Sequence, residues 1–197
     1  AGFQSLNGET GNAAMAMVAL KIQDFTVNTA ADVIDLQVVE RQKRTNILGI
    51  VGINLFRKYE LEIDYLAQEI RLYRLDKKGQ RRLQQPQALP SEVLAFDYYQ
   101  HLPCITTYLH GMALHLGLDT GAEKTLLSSS VYKKIKHQIR DVKTQKVIDL
   151  HGQPTHAIAG QVDGLEVGAL EISSLPAVFI PLNTHYGGLN EKKIQGL

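Results

Sequence analysis

The sequence predicts an all-β fold with only short helices. Three observations carry this: 16 glycines in 197 residues, valine, isoleucine and leucine gathered in short runs, and turn residues bounding those runs. Met15 to Leu20 and Leu36 to Glu40 are the first such stretches, each read as a strand. A hairpin follows, with Tyr59 to Tyr65 and Glu69 to Tyr73 flanking Leu66-Ala67-Gln68. Its alternation sets Leu61, Ile63, Ile70 and Leu72 on one face, expected to be buried, and Glu60, Glu62, Glu69 and Arg71 on the other.

Residues 76–100 change character. Asp76-Lys77-Lys78-Gly79-Gln80-Arg81-Arg82, then Gln84-Gln85-Pro86 and Leu89-Pro90-Ser91, are charged or turn-forming without a period and read as a linker. The four cations among them read as a solvated polar surface. Beyond it, Ile105 to Leu109 and Met112 to Leu118 flank His110-Gly111, a two-residue turn suited to a hairpin. Ser128 to Ile139 reads as a short helix, capped by a serine of Ser128-Ser129-Ser130, with Val131, Ile135 and Ile139 at helical spacing.

The chain also repeats itself. Leu6-Asn7-Gly8 matches Leu150-His151-Gly152, and Leu20-Lys21-Ile22 with Phe25 and Val27 matches Leu165-Glu166-Val167 with Leu170 and Ile172. Asn46-Ile47-Leu48-Gly49-Ile50 matches Lys193-Ile194-Gln195-Gly196-Leu197. Three matches in one order at a nearly constant offset mark two related copies. The reading is therefore of residues 1–75 as the later half of a first lobe, 76–100 as linker, and 101–197 as the earlier half of a second lobe.

Composition excludes several functions. Lys and Arg number 21 against 20 Asp and Glu, which argues against a dedicated nucleic-acid binder. A single cysteine, Cys104, excludes an internal disulfide framework and reads as a small core residue. No apolar run reaches the ~20 residues of a membrane-spanning helix. The histidines His110, His115, His137, His151, His156 and His185 show no ligand spacing and lack Cys partners, so neither a metal nor a cofactor is expected. Ser128-Ser129-Ser130 has no histidine placed to activate a nucleophile. The sequence opens on Ala1-Gly2-Phe3, in what reads as mid-domain sequence, so the absence of a targeting signal carries no weight.

The most informative segment is Ala113-Leu114-His115-Leu116-Gly117-Leu118-Asp119-Thr120-Gly121-Ala122-Glu123-Lys124-Thr125-Leu126-Leu127. One apolar strand delivers an Asp-Thr-Gly turn and a second leaves it. A carboxylate on such a turn is held rigidly, and Gly121 lets backbone N–H groups approach it. Thr120 offers a hydroxyl for bonding across to a related turn. Two carboxylates held about 3 Å apart share one proton and titrate as a unit. One then acts as base toward a water while the other protonates the carbonyl oxygen and later the leaving amine.

These residues resemble the aspartic peptidases of the pepsin and retropepsin clan. The likeness rests on Asp119-Thr120-Gly121-Ala122 and, in the earlier copy, on the apolar-apolar-Gly element Ile50-Val51-Gly52 with Ile53-Asn54-Leu55-Phe56 and the Ile63-Asp64-Tyr65 hairpin after it. The resemblance implies retropepsin-like, closed β-barrel lobes with short helices, and an order of elements similar to bacterial proteins with two such lobes in tandem. It implies Asp119 as a catalytic residue, Thr120, Gly121 and Ala122 as the active-site turn, and Ile50, Val51 and Gly52 as the element supporting such a turn. Ala122 follows the triplet as in retroviral-type enzymes, where pepsin-type ones often have Ser. A flap over the substrate would fall between Lys146 and Ala159, with His151 and Gly152 at its tip. Glu123 is read as pointing to solvent.

The implied activity is aspartic endopeptidase action on a peptide or protein substrate, with a bacterial, extracytoplasmic leaning. The chain as given reads as cut at both ends, with the second carboxylate in a missing N-terminal region or a partner subunit. In that case Ile50-Val51-Gly52 would pack behind the Asp119 turn across the linker. The alternative is a non-catalytic retropepsin-like module for peptide binding or dimerisation. A lone Asp119 has no proton-sharing partner, so strictly monomeric protein is expected to show little or no pepstatin-sensitive cleavage. Robust cleavage by a verified monomer, in a size-resolved peptidase assay, contradicts this.

Overall fold

Most apolar and alternating runs become strands in the computed structural model, and the helices are few and short. The structure describes residues 2–4, 10–12, 14–23, 25–82, 92–100, 102–122, 124–148, 154–182 and 189–197. They divide into two units, one of Ala1–Ile47 with Leu94–Leu197 and one of Leu48–Val93. No helix among the described residues is long and apolar enough to cross a membrane.

The first unit opens with β1 (Gly2–Gln4) and β2 (Thr10–Asn12), an antiparallel pair. Next come β3 (Ala14–Ile22) and β4 (Phe25–Val33), paired with Leu20 opposite Val27 and Ile22 opposite Phe25, and with Gln23 at φ 50° in the turn. Leu36 to Glu40, expected as a strand, instead enters helix α1 (Gln37–Lys43). Five residues were too few to separate the two periods. The surrounding chain decides: the Gln37 N–H donates to Asp35 Oδ1, Arg41 donates to Gln37 one turn back, and Arg44 at φ 52° closes the helix by donating its N–H to the Glu40 carbonyl.

In the unit of Leu48–Val93, a 3₁₀ turn (Ile53–Phe56) precedes the antiparallel hairpin of β5 (Tyr59–Asp64) and β6 (Glu69–Arg74). Leu61 faces Leu72 and Ile63 faces Ile70, the register that the alternation predicts. That face is not buried as expected: Leu61, Ile63 and Leu72 are half-buried and Ile70 is exposed. These are the only two strands of their sheet among the described residues. The glutamates are engaged, because Arg71 pairs with Glu62 and Glu69, while Arg81 pairs with Glu60 at 2.6 Å and lies over the Tyr73 ring at 3.5 Å. Arg81 also bridges back to Leu75, so the start of the expected linker 76–100 is tied to this hairpin.

The remainder of the first unit holds the principal core. Its strands are β7 (Asp97–Tyr99), β8 (Leu102–Leu109), β9 (Met112–Gly117) and β10 (Thr125–Ser128), followed by helix α2 (Ser129–Ile135) and a 3₁₀ turn (Lys136–Gln138). Then come β11 (Arg140–Ile148), β12 (Pro154–Val162), β13 (Leu165–Val167), β14 (Leu170–Ile172) and β15 (Leu175–Ile180). His110 and Gly111, both at positive φ, close the expected β8–β9 hairpin. One sheet runs β14-β13-β8-β7 with β9 added on β8, and the other runs β10-β15-β12-β11, with β10 and β15 parallel.

Consecutive residues serve opposite faces. Leu127, Ala177 and Phe179 join a cluster with Leu109, Leu114 and the helical Val131 and Ile135, while Leu126, Val178 and Ile180 join Cys104, Leu182 and Ile194. Covering both faces explains why β10 and β15 are apolar without alternation. Ser128 caps α2 by accepting the Val131 N–H at 3.3 Å, and Lys133 and Lys134 complement its C-terminal end.

Arg140, at the start of β11, donates two hydrogen bonds to Asp163, just past β12, at 2.8 and 2.7 Å. This contact holds the Asp163 carboxyl below the ordinary carboxylate range. A folded-state value below the unfolded one stabilises the fold at pH values above the unfolded titration, and the contribution is lost as pH falls through the folded one. Both groups are solvent-facing, so the effect is small. Carboxyl-detected NMR titration is expected to place Asp163 below an ordinary aspartate, and Arg140→Gln to return it upward.

Candidate active site

The β8–β9 hairpin delivers the chain to Asp119. At the end of β9 the Leu118 N–H donates to the Pro103 carbonyl at 2.8 Å, which fixes the exit direction. Asp119-Thr120-Gly121-Ala122 then turns the chain toward β10. The Gly121 N–H donates to Asp119 Oδ1 at 2.8 Å and the Ala122 N–H to the Asp119 carbonyl at 3.2 Å. A Cβ on Gly121 would lie 3.2 Å from that carboxylate oxygen, closer than side chains normally pack, so glycine gives the N–H unhindered approach. Asp119 and Thr120 are exposed and Ala122 is half-buried. The turn therefore presents an acceptor carboxylate to solvent, with its orientation set by backbone. Glu123 lies outside the described residues.

Behind the turn runs Gln195-Gly196-Leu197. Gly196 bridges Leu116 of β9 in parallel and Leu127 of β10 antiparallel, so one residue joins the two sheets. The Gly117 N–H donates to the Gly196 carbonyl at 2.9 Å, Gln195 N–H to the His115 carbonyl at 2.9 Å, and Ser128 N–H to the Gln195 carbonyl at 2.8 Å. Leu126 and Leu197 exchange both backbone bonds, at 2.9 and 2.8 Å. The Gln195 side chain adds Oε1 as acceptor for the His115 N–H at 2.8 Å.

Ile50, Val51 and Gly52 belong to the unit of Leu48–Val93, where Ile50 and Val51 are exposed and the Gly52 carbonyl accepts the Leu55 N–H of the 3₁₀ turn. The position between β9 and β10 is filled by Gln195–Leu197 of the lobe that carries Asp119. The repeat match pairs Gly196 with Gly49, three residues before Gly52, so the sequence did not mark Gln195–Leu197 as the supporting element. The expected flap region begins as a hairpin, with β11 and β12 in register out to Ile148 opposite Pro154. Its tip residues His151 and Gly152 lie outside the described residues. Ser128 and Ser130 bond to each other and Ser128 caps α2, which accounts for the triple serine.

One grouping went unread in the sequence. Asp97, Cys104 and His115 come from three adjacent strands, and their ligand-type atoms all lie within 4.8 Å of one another. His115 Nδ1 lies 2.7 Å from the Lys193 carbonyl and Nε2 lies 2.8 Å from Asp97 Oδ1. Cys104 is buried, which pushes its thiol above the ordinary value.

The family model described as aspartyl protease matches residues 105–197, a stretch running from β8 through the Asp119 turn to Leu197. That stretch is similar to the aspartyl protease family. No curated protein matches the chain.

A Cβ at Gly196 would sit 2.4 Å from the Leu126 carbonyl oxygen, and backbone cannot rotate away as a side chain does. Gly196→Ala is therefore expected to destabilise the unit by about 1–3 kcal/mol or more, read as a lowered denaturation midpoint. A midpoint equal to that of the unmutated chain would show that Gly196 does not form the wedge.

Proposed function

We propose that this chain contributes one half of an aspartic endopeptidase site, with Asp119 as one of two carboxylates that activate a water. The observation that carries the reading is the exposed Asp119 carboxylate, held by the Gly121 N–H at 2.8 Å on a turn backed by Gly196. The aspartyl protease match over residues 105–197 supports it independently.

The chemistry follows from pairing. Asp119 on its own turn faces solvent. Opposed to a second carboxylate at about 3 Å, it shares one proton, because two like charges at that distance do not both persist. The ionised member draws a proton from the bound water as the water attacks the peptide carbonyl. The protonated member donates to the carbonyl oxygen, and proton return to the amide nitrogen expels the amine. Thr120 braces the facing turn through its hydroxyl. The sequence holds a single Asp-Thr-Gly, so the second carboxylate is supplied by another lobe, from a second copy or from further sequence of the same protein.

Residues 1–75 and 101–197 are read as two related copies. In support, the repeat-matched residues form hairpins in the same register: Leu20 opposite Val27 and Ile22 opposite Phe25 in one, Leu165 opposite Ile172 and Val167 opposite Leu170 in the other. The matched turn positions Gln23 and Gly168 both have positive φ, at 50° and 61°.

Asp119→Asn keeps the size of the side chain and the Gly121 contact but removes the shared proton. In assembled protein it is expected to lower peptide cleavage by about 10²–10⁴-fold while leaving peptide binding in place. Cleavage unchanged by Asp119→Asn would remove Asp119 from the mechanism.

A further inference from the structure

We propose that Asp97, Cys104 and His115 form a binding site for a divalent transition-metal ion of the zinc type. The strand register brings the three together. Asp97 on β7 stands directly opposite Cys104 on β8, so both side chains leave the same face. On β9, Gly117 stands opposite Cys104, and His115 lies two residues back on that same face, within diagonal reach. The side chains of Leu102 and Leu197 fill the room beside Gly117, so the ion's place is confined to the three donors.

The hydrogen bonding of His115 fixes its tautomer and aims Nε2 at a carboxylate. Its Nδ1 faces the Lys193 carbonyl at 2.7 Å, and a carbonyl only accepts, so Nδ1 carries the N–H. Nε2 and Asp97 Oδ1 are then two acceptors 2.8 Å apart, and a positive centre, either a proton or a metal ion, must bridge them. An Nδ1–H anchored on a backbone carbonyl is also the arrangement that fixes the tautomer of a metal-ligating histidine and aims Nε2 at the ion.

The donor set defines the class of ion. Thiolate, imidazole and carboxylate together suit a borderline-soft ion such as Zn²⁺ rather than Mg²⁺ or Ca²⁺, which take oxygen ligands. A tetrahedral ion with bonds of about 2.0–2.3 Å separates its ligands by about 3.3–3.8 Å. The three donor atoms lie within 4.8 Å of one another, so modest side-chain shifts suffice. The Asp97 side chain, 71% exposed, has room to make them and opens the approach for the ion, while Cys104 forms the buried floor. On binding, the Cys104 S–H proton and the proton between His115 Nε2 and Asp97 Oδ1 leave to solvent as the sulfur, nitrogen and oxygen atoms bond the ion. The fourth position stays open to water. The ion would tie β7, β8 and β9 together and, through the Nδ1–H contact with Lys193, hold the segment behind the Asp119 turn.

The test is titration of the full chain with Co²⁺ alone, followed by absorbance, and then displacement with Zn²⁺. The expected result is a thiolate-to-cobalt charge-transfer band that saturates at one equivalent and is removed by Zn²⁺. Cys104→Ala should abolish the band, and Asp97→Asn should weaken binding by about tenfold or more. Cys104 is buried and its substitution risks the fold, whereas Asp97 is solvent-facing, so Asp97→Asn decides the matter if the first variant misfolds. Absence of the band, its survival in folded Cys104→Ala, or undiminished Co²⁺ affinity in Asp97→Asn would each overturn the site.

Discussion

Placement of Asp119 depends on the insertion of Gln195-Gly196-Leu197 between β9 and β10. The strands on either side of the turn do not pair with each other. The C-terminal segment fills the gap, with Gly196 bridging both and backbone bonds running to Gly117, His115, Leu126 and Ser128. Without it, the two strand ends would carry unpaired backbone groups beside a buried core, at a cost comparable to the lost hydrogen bonds themselves. The site is thus held by a contact between residues 80 apart in the chain, the non-local kind that slows folding.

That arrangement separates rigidity from chemistry. The backbone of the turn orients one carboxylate oxygen through the Gly121 N–H and leaves Asp119 open to solvent. On the proposed reading, what converts this solvent-facing carboxylate into an acid/base pair is a second carboxylate brought close. The β3–β4 and β13–β14 hairpins share a register, which supports the proposed kinship of the two segments. The aspartyl protease match over residues 105–197 fits the lobe in which the turn is complete.

His115 connects the support of the Asp119 turn with the Asp97 and Cys104 cluster. Its backbone N–H and carbonyl both bond Gln195, its Nδ1 bonds the Lys193 carbonyl, and its Nε2 faces Asp97. Every polar group of the residue is therefore committed either to the wedge or to the cluster with Asp97 and Cys104. An ion in that cluster would act on the Asp119 turn by stiffening its support, with no part in the reaction itself.

Local order and the chemical signature were legible from sequence alone: the all-β character, the β5–β6 and β8–β9 hairpins, the serine-capped helix, and the Asp-Thr-Gly turn between two apolar strands. Each depends on residues close together in the chain, where period and turn chemistry act directly. Leu36–Glu40 was misread because five residues fit either period and the capping contacts of Asp35 and Arg44 decide between them. Burial of the Leu61 face was misjudged because alternation says which side chains share a face and nothing about whether another layer covers it. Only the tertiary structure decided that Gly196 sits behind Asp119 and that Asp97, Cys104 and His115 meet. Those residues are adjacent through strand pairing, and pairing register is set by the packing of the whole core.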